Sequence, residues 1–169
     1  GALENQQGDV TPAGVQMGTG VEIATTSAKL TQGSLEKTGV QTDLAIQGDG
    51  YFGVELGNGQ RAYTRAGNFE IGPEGNLVTQ NGRQVVTDVN IPRDVTRIEI
   101  SKDGVVTGFR NNQTEGAVLG QINLFTFQSP NGLNAEGENL FTQTPASGQA
   151  EELVPNGPGA GLIKQGFIE

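Results

Sequence analysis

The 169-residue chain contains neither cysteine nor histidine. Without cysteine it cannot form disulfides or use a thiolate nucleophile, and most zinc sites are excluded. Without histidine it lacks the commonest general base and metal ligand at neutral pH. These absences argue against an enzyme. The sequence predicts no catalytic, cofactor-binding or metal-binding residues, and no cofactor.

Basic residues are scarce, with 10 Lys and Arg against 19 Asp and Glu and a net charge of -9. Nucleic-acid binding relies on clustered Lys and Arg that neutralise phosphates. The nearest approach to such a cluster is interleaved with Asp94, Glu99 and Asp103, which is typical of a solvated strand face. The sequence therefore predicts no nucleic-acid partner. The basic residues concerned are Arg61, Arg65, Arg93, Arg97 and Lys102.

Long hydrophobic runs are also missing. No apolar stretch approaches the roughly 20 residues of a membrane span. No basic segment followed by an apolar one opens the sequence in the manner of a signal peptide. The sequence predicts no membrane insertion.

Glycine is abundant, at 27 of 169 residues, which is about twice its usual share. The glycines punctuate short segments in which apolar and polar residues alternate, a pattern typical of strands joined by tight turns. With 34% hydrophobic and 5% aromatic residues, thin sheets are favoured over thick helical bundles. We predict an all-β, mainly antiparallel fold with long loops.

The chain divides into two parts by composition. Residues 1–20 are polar and glycine-rich, and we expect them to form an extended arm without its own core. Alternation of Thr and Val begins at Val21, so residues 21–169 are predicted to form a single β-domain. The sequence closes on an apolar strand without a turn signal, and we expect a continuation beyond it.

Strands are predicted from the alternation, and the turns from Asn-Gly and Asp-Gly pairs. Asn58-Gly59 and Asp103-Gly104 are the predicted hairpin turns. Up to residue 79 we expect a meander of consecutive neighbours, and residues 142–161 read as a long irregular excursion. The predicted strands cover residues 43–47, 50–56, 61–65, 68–71, 77–79, 97–101, 105–107 and 121–127.

Three polar motifs could carry chemistry, but each has a simpler interpretation. Gly48-Asp49-Gly50 lacks the third glycine and the helix of a phosphate loop, which favours a strand kink. Asp103 lacks the alternating ligands of a calcium loop, so a turn is favoured. Two pairs of acids could serve a glycosidase, yet they read as solvated loop residues. These pairs are Glu151 with Glu152 and Glu136 with Glu138.

Tyr63-Thr64-Arg65 is the polar motif with the clearest interface character. Tyr and Arg are residue types that anchor protein interfaces. The alternative is a strand with Tyr63 packed inward and Arg65 lying along it. Both interpretations remain open at this point.

The motifs occur in an order that resembles one family. Residues 43–55 read DLAIQGDGYFGVE, residues 62–69 read AYTRAGNF, and residues 75–79 read GNLVT. This set, with GENLFT at 137–142 and GAGLIKQGFIE at 159–169, resembles the bacterial flagellar rod and hook family. The resemblance covers residues 15–169.

The resemblance implies a structural subunit of the distal rod, the drive shaft between motor and hook. Such a subunit would assemble by helical self-polymerisation and contact neighbouring rod and hook proteins, with bushing ring proteins as further partners. The expected location is the rod of the basal body, in the periplasmic space of a two-membrane cell, after export without a cleaved signal peptide. The alternatives are a proximal rod or hook-type axial protein, or a secreted β-domain that binds carbohydrate or a surface.

The arm at residues 1–20 resembles an insertion of the distal rod that is thought to straighten the rod. Together with the Tyr63-Thr64-Arg65 motif, it supplies the predicted subunit contacts. These candidates are Val10, Pro12, Gln16, Tyr63 and Arg65.

Overall fold

The structure, a computed structural model, describes residues 32–169. The strands of this part pair in antiparallel fashion. Within this part there are fifteen strands, one short 3-10 helix at Pro130–Gly132 and no α-helix. The predicted all-β, mainly antiparallel class is confirmed. The strands are β1 Glu36–Lys37, β2 Leu44–Gln47, β3 Phe52–Glu55, β4 Arg61–Thr64, β5 Glu70–Ile71, β6 Leu77–Val78, β7 Val95–Ile100, β8 Val105–Arg110, β9 Ala117–Gln121, β10 Leu124–Thr126, β11 Asn134–Gly137, β12 Leu140–Thr142, β13 Glu151–Leu153, β14 Leu162–Gln165 and β15 Phe167–Ile168.

The strands form one four-stranded sheet in the order β11-β12-β4-β3, one three-stranded sheet in the order β7-β8-β9, and four two-stranded pairs. Both predicted hairpins are confirmed. The Asn58-Gly59 turn joins β3 to β4, and the Asp103-Gly104 turn joins β7 to β8. Gly59 and Gly104 have φ values of 83° and 85°, a conformation that glycine adopts without steric cost.

The predicted meander is wrong at two steps, since β2 does not pair with β3 and β5 pairs with β6 but not with β4. Strand β2 pairs with β14 rather than with β3, and β4 pairs with β12 as well as with β3. The cause lies at Gly48 and Gly50, whose φ values of 107° and 131° turn the chain between β2 and β3. The interpretation of this segment as a kink rather than a phosphate loop agrees with that geometry, since a strand and not a helix follows it.

Two further predictions need correction. The single strand expected over 121–127 is divided, because β9 pairs with β8 up to Gln121 whereas β10 pairs with β13 from Leu124. The excursion expected over 142–161 contains β13, which pairs with β10. Such pairing depends on a partner far along the chain, and local pattern does not encode it.

The largest apolar cluster joins β2, β3 and β14 to the β7-β8-β9 sheet. Leu44, Ile46, Phe52 and Leu124 are fully or almost fully buried in it. A second cluster is aromatic: the ring of Tyr63 lies 4.9 Å from Phe127 and 5.4 Å from Phe125, and Tyr51 lies 5.7 Å from Phe127. Ile122 and Leu124 on one face of the segment 121–127 are buried, and so are Phe125 and Phe127, so the segment is covered on both sides near its end.

The predicted arm over 1–20, the domain boundary at 21 and the strand starting at Val21 lie outside the described residues. Within residues 32–169, none of the helical structure is long and apolar enough to cross a membrane.

Candidate functional site: the neck of the β-unit

The beginning and the end of the described chain meet. Strand β1 pairs with β15, placing Glu36 opposite Ile168 and Lys37 opposite Phe167. At the base of this ribbon, the Thr38 and Gly39 N–H groups both donate to the Gly166 carbonyl, at 2.7 and 3.0 Å. We call residues 32–39 and 166–169 the neck, and the remainder of residues 32–169 the body. The chain therefore enters and leaves the body at one place.

Arg65 lies where the neck meets the body. It directly follows β4, and its side chain is 21% exposed. An arginine side chain has five N–H donors in a rigid planar fork, and each of them has an acceptor here. Nε donates to Glu169 Oε1 at 2.9 Å, Nη1 to the Gly48 and Gly50 carbonyls at 2.7 and 2.8 Å, and Nη2 to the Ile46 carbonyl at 3.1 Å and Glu169 Oε2 at 3.4 Å.

The three carbonyls converge because of the local sequence. Ile46 lies in β2, and Gly48 and Gly50 follow with positive φ, which turns successive carbonyls toward the same point. A side chain at Gly48 would also collide with the Gly161 backbone at 2.9 Å. Glycine at Gly48 is therefore required both by its dihedral angle and by the close approach of another strand.

The Glu169 carboxylate completes the site. Its Oε2 accepts hydrogen bonds from the Gly33 N–H at 2.5 Å and from Gln32 Nε2 at 3.3 Å. Its side chain is only 13% exposed. One carboxylate thus joins the first and last described residues to the Arg65 guanidinium, and charge-assisted hydrogen bonds of this kind are stronger than neutral ones.

Gln32 makes a second link between neck and body. Its Nε2 donates to the Ile46 carbonyl at 3.1 Å, and its Oε1 accepts from the Gly48 N–H at 2.9 Å. The side-chain amide thereby mimics a neighbouring strand along the end of β2. We call Arg65, Glu169 and Gln32 together the clamp.

Glutamine side chains also cover an outer edge of the β7-β8-β9 sheet. Gln41 Oε1 accepts from the Ile98 N–H at 2.7 Å, and Gln165 Oε1 accepts from the Ile100 N–H at 3.0 Å. Gln165 Nε2 donates in return to the Ile98 carbonyl at 3.1 Å. Unpaired strand edges invite pairing with other chains, and these amides occupy the groups on β7 that would do so.

The acidic pairs do not resemble a hydrolytic centre. Glu151 and Glu152 lie on β13 and Glu136 lies on β11, rather than in the predicted loops. All three are exposed, as is Glu138. Hydrogen bonds from Thr142 and Asn134 lower the pKa of Glu136, whereas a general acid needs a raised pKa. Among residues 32–169 no group of three His, Cys, Asp or Glu side chains is placed to hold a metal ion.

The structure places Tyr63 and Arg65 within the subunit. Tyr63 is 5% exposed in the aromatic cluster, and burial raises its pKa and that of Tyr51. Arg65 has its donors satisfied in the clamp. Their role as subunit contacts stays a prediction, and Val10, Pro12 and Gln16 lie outside the described residues. Sequence reasoning did not single out Gln32 or Glu169, since nothing local marks either residue.

Over residues 32–169 the fold is an antiparallel β-domain in which the first and last described strands pair in the neck. Residues 45–108 match the family described as "Flagellar hook protein FlgE/F/G D1 domain". The chain belongs to the bacterial flagellar rod and hook family, and the resemblance read from its motifs is confirmed.

Relatives from several bacteria agree with this family. The chain is 43% identical over 158 residues to the flagellar basal-body rod protein FlgG of Buchnera aphidicola subsp. Acyrthosiphon pisum, covering 94% of this chain and 61% of that protein. It is 40% identical to FlgG of Caulobacter vibrioides over 169 residues, covering 100% of this chain and 64% of the relative. The flagellar basal-body rod protein FlgF of Caulobacter vibrioides is 36% identical over 163 residues, covering 94% and 59%. The chain spans about three fifths of the length of these relatives.

Proposed function

We propose that this chain is the β-domain of a non-enzymatic structural subunit of the flagellar distal rod, the shaft that joins the motor to the hook. The observation that carries the proposal is the 40% identity to the rod protein FlgG across all 169 residues. The FlgF protein of the same organism is less similar, at 36% over a slightly shorter span. This difference favours a FlgG-like role over the alternative of another axial protein of the family.

The proposed mechanism is assembly rather than catalysis. Each subunit presents different patches to the neighbours above and below it, so the contacts are heterologous and a tube grows instead of a closed ring. The partners are further copies of the subunit, adjoining rod and hook proteins and, at the outer surface, bushing ring proteins. The location is the basal-body rod, in the periplasmic space of a two-membrane cell, after export without a cleaved signal peptide.

Within this proposal the arm at residues 1–20 straightens the rod, and residues 21–169 form the domain that carries it. Val10, Pro12 and Gln16 in the arm, with Tyr63 and Arg65, are the proposed subunit contacts. Tyr63 is buried and the donors of Arg65 are hydrogen-bonded within residues 32–169. We therefore expect the arm to contribute more of the binding energy between subunits than these two residues do.

A chimera tests the function. In Caulobacter vibrioides, the FlgG segment aligned with this chain is replaced by the chain itself, and swimming in soft agar and isolated basal bodies are examined. Restored motility with a complete rod is the expected result. The matched control places this chain in the aligned segment of FlgF.

The two chimeras separate the alternatives. Rescue only in FlgF would assign the chain to a different axial position. Rescue in neither, with both chimeras stably produced, would contradict a rod function.

A further inference from the structure

The neck is a short ribbon that depends on contacts with the body for its orientation. Its ribbon comprises two strands of two residues each, β1 and β15, and isolated two-stranded ribbons are marginal in water. It joins the body at Gly39 and Gly166, whose φ values are 71° and 83°. Two glycines side by side at the base of a ribbon form a natural hinge, since neither restricts its own backbone strongly.

The clamp spans this hinge. Glu169 and Gln32 lie on the neck side, whereas Arg65 and the carbonyls of Ile46 and Gly48 lie on the body side. Bending at the glycines would break both charge-assisted bonds from Arg65 to Glu169. It would also break the bonds that join Gln32 to Ile46 and Gly48.

We propose that the Arg65–Glu169 pair is the positioning element of the neck: it fixes the direction in which the two flanks of the chain leave the β-domain. The inference rests on the proposed function, in which those flanks connect the domain to the rest of a rod subunit. In a rotating shaft, a fixed exit direction lets the β-domain and the flanks turn as one body.

Arginine is specifically suited to this role. The guanidinium fork reaches Glu169 on one side and three carbonyls on the other. A lysine would supply one point charge with three donors, which cannot reproduce the planar arrangement. Replacing Arg65 by Lys should therefore release the neck even though the charge is kept.

Amide hydrogen exchange on the complete 169-residue chain tests the clamp. In Glu169→Gln the side chain keeps its size and loses its charge. We expect exchange at Gly33, Lys37 and Ile168 to rise about tenfold or more, because opening of the neck no longer breaks charge-assisted bonds. Exchange at the buried amides of Leu44 and Phe52 should not change.

The matched control is Asp94→Asn, which removes the same charge from the exposed pair with Arg110. It should leave neck exchange unaltered. If Glu169→Gln leaves the neck as protected as in the parent chain, or raises exchange uniformly, the proposal is wrong.

A distance measurement reads orientation directly and separates it from stability. Because the chain has no cysteine, Glu36→Cys and Gln113→Cys, both at exposed positions, place one spin label on the neck and one on the body. The parent and Asp94→Asn should give one narrow distance distribution by pulsed electron paramagnetic resonance. Glu169→Gln and Arg65→Lys should give a broadened or shifted one.

Narrow, unshifted distributions in both variants would overturn the proposal. These measurements use the chain alone, so their failure would leave the rod function standing. Conversely, failure of the FlgG chimera would remove the function without touching the clamp.

Discussion

Two ion pairs in this protein have similar lengths and different surroundings. Arg65 Nε lies 2.9 Å from Glu169, and Arg110 Nε lies 2.7 Å from Asp94. The side chains of the first pair are 21% and 13% exposed, and those of the second are 36% and 66% exposed. Exposed pairs contribute little, because water and salt screen them. Burial and the number of satisfied donors, rather than distance, therefore determine how much each pair contributes to stability.

Two glycines of the body, Gly67 and Gly157, differ in how closely other backbone atoms approach them. A Cβ added at Gly67 would collide with the carbonyl oxygen of Leu44 in β2. On the outer loop at Gly157, the nearest atom would be the Val154 oxygen at 3.4 Å. A side chain at Gly67 would therefore meet a backbone atom, whereas the loop at Gly157 has space for a methyl group.

The largest expected effect comes from Gly67→Ala. The new methyl group meets backbone, so β2 or the 66–69 turn must move, and we expect a loss of about 3 kcal/mol or more in the free energy of unfolding. Urea denaturation followed by circular dichroism measures it. Gly157→Ala is the matched control and should change stability by less than about 0.5 kcal/mol; equal losses in both variants would contradict the structure.

The variants Arg65→Gln and Arg110→Gln test how much each of the two ion pairs contributes to stability. Arg65→Gln leaves a largely buried carboxylate and several carbonyls short of donors, at an expected cost of about 2–3 kcal/mol. Arg110→Gln should cost no more than about 1 kcal/mol. Double-mutant cycles with Glu169→Gln and Asp94→Asn give the coupling energy of each pair by chemical denaturation. A larger coupling for the Arg110 pair would reverse the conclusion.

Gln165→Ala tests the covered edge of β7. The Ile100 N–H and the Ile98 carbonyl lose their side-chain partner, and we expect a loss of about 1–2 kcal/mol. Faster amide exchange at Ile100 than at Val106, on the inner strand β8, would accompany it. Gln128→Ala, at an exposed position, is the control and should be close to neutral.

The smallest predicted effect is a loss of stability at alkaline pH. Burial is the main cause that raises the pKa of Tyr51 and Tyr63 above the ordinary value of 10.0. The folded state thus keeps these protons longer than the unfolded chain does, so stability is intact below pH 10 and falls as pH rises toward the folded pKa values. Tyrosinate absorbance and urea denaturation between pH 9 and about 11 follow it. Tyr63→Phe should make the free energy of unfolding depend less on pH in this range. An unchanged pH dependence in both Tyr51→Phe and Tyr63→Phe would contradict the prediction.

Local elements were predictable from the sequence because their signals are local. Alternating apolar residues and the Asn58-Gly59 and Asp103-Gly104 turns lead directly to the β3-β4 and β7-β8 hairpins. The division of strand 121–127 was not predictable. It depends on the pairing of β10 with β13, which lies far along the chain and is brought to β10 only by the fold.

Of the three clamp residues, sequence analysis singled out only Arg65, and it did so as a subunit contact. Arg65 stood out as an interface type, yet the structure places it in a clamp with Glu169, 104 positions away. Gln32 and Gln165 gave no signal, because a glutamine that replaces a strand neighbour looks like any surface glutamine until its partner strand is in place.

The sequence by itself determined the all-β class, the hairpins, the family and the absence of cysteine and histidine chemistry, since composition, period and motif order are properties of the chain alone. Tertiary structure alone decided which strands meet, that β2 pairs with β14, and that Glu169 and Gln32, the two ends of the described chain, meet at Arg65. The physical reason is that long-range pairing is selected by burial and by satisfied hydrogen bonds summed over the whole fold, and no short segment carries that sum.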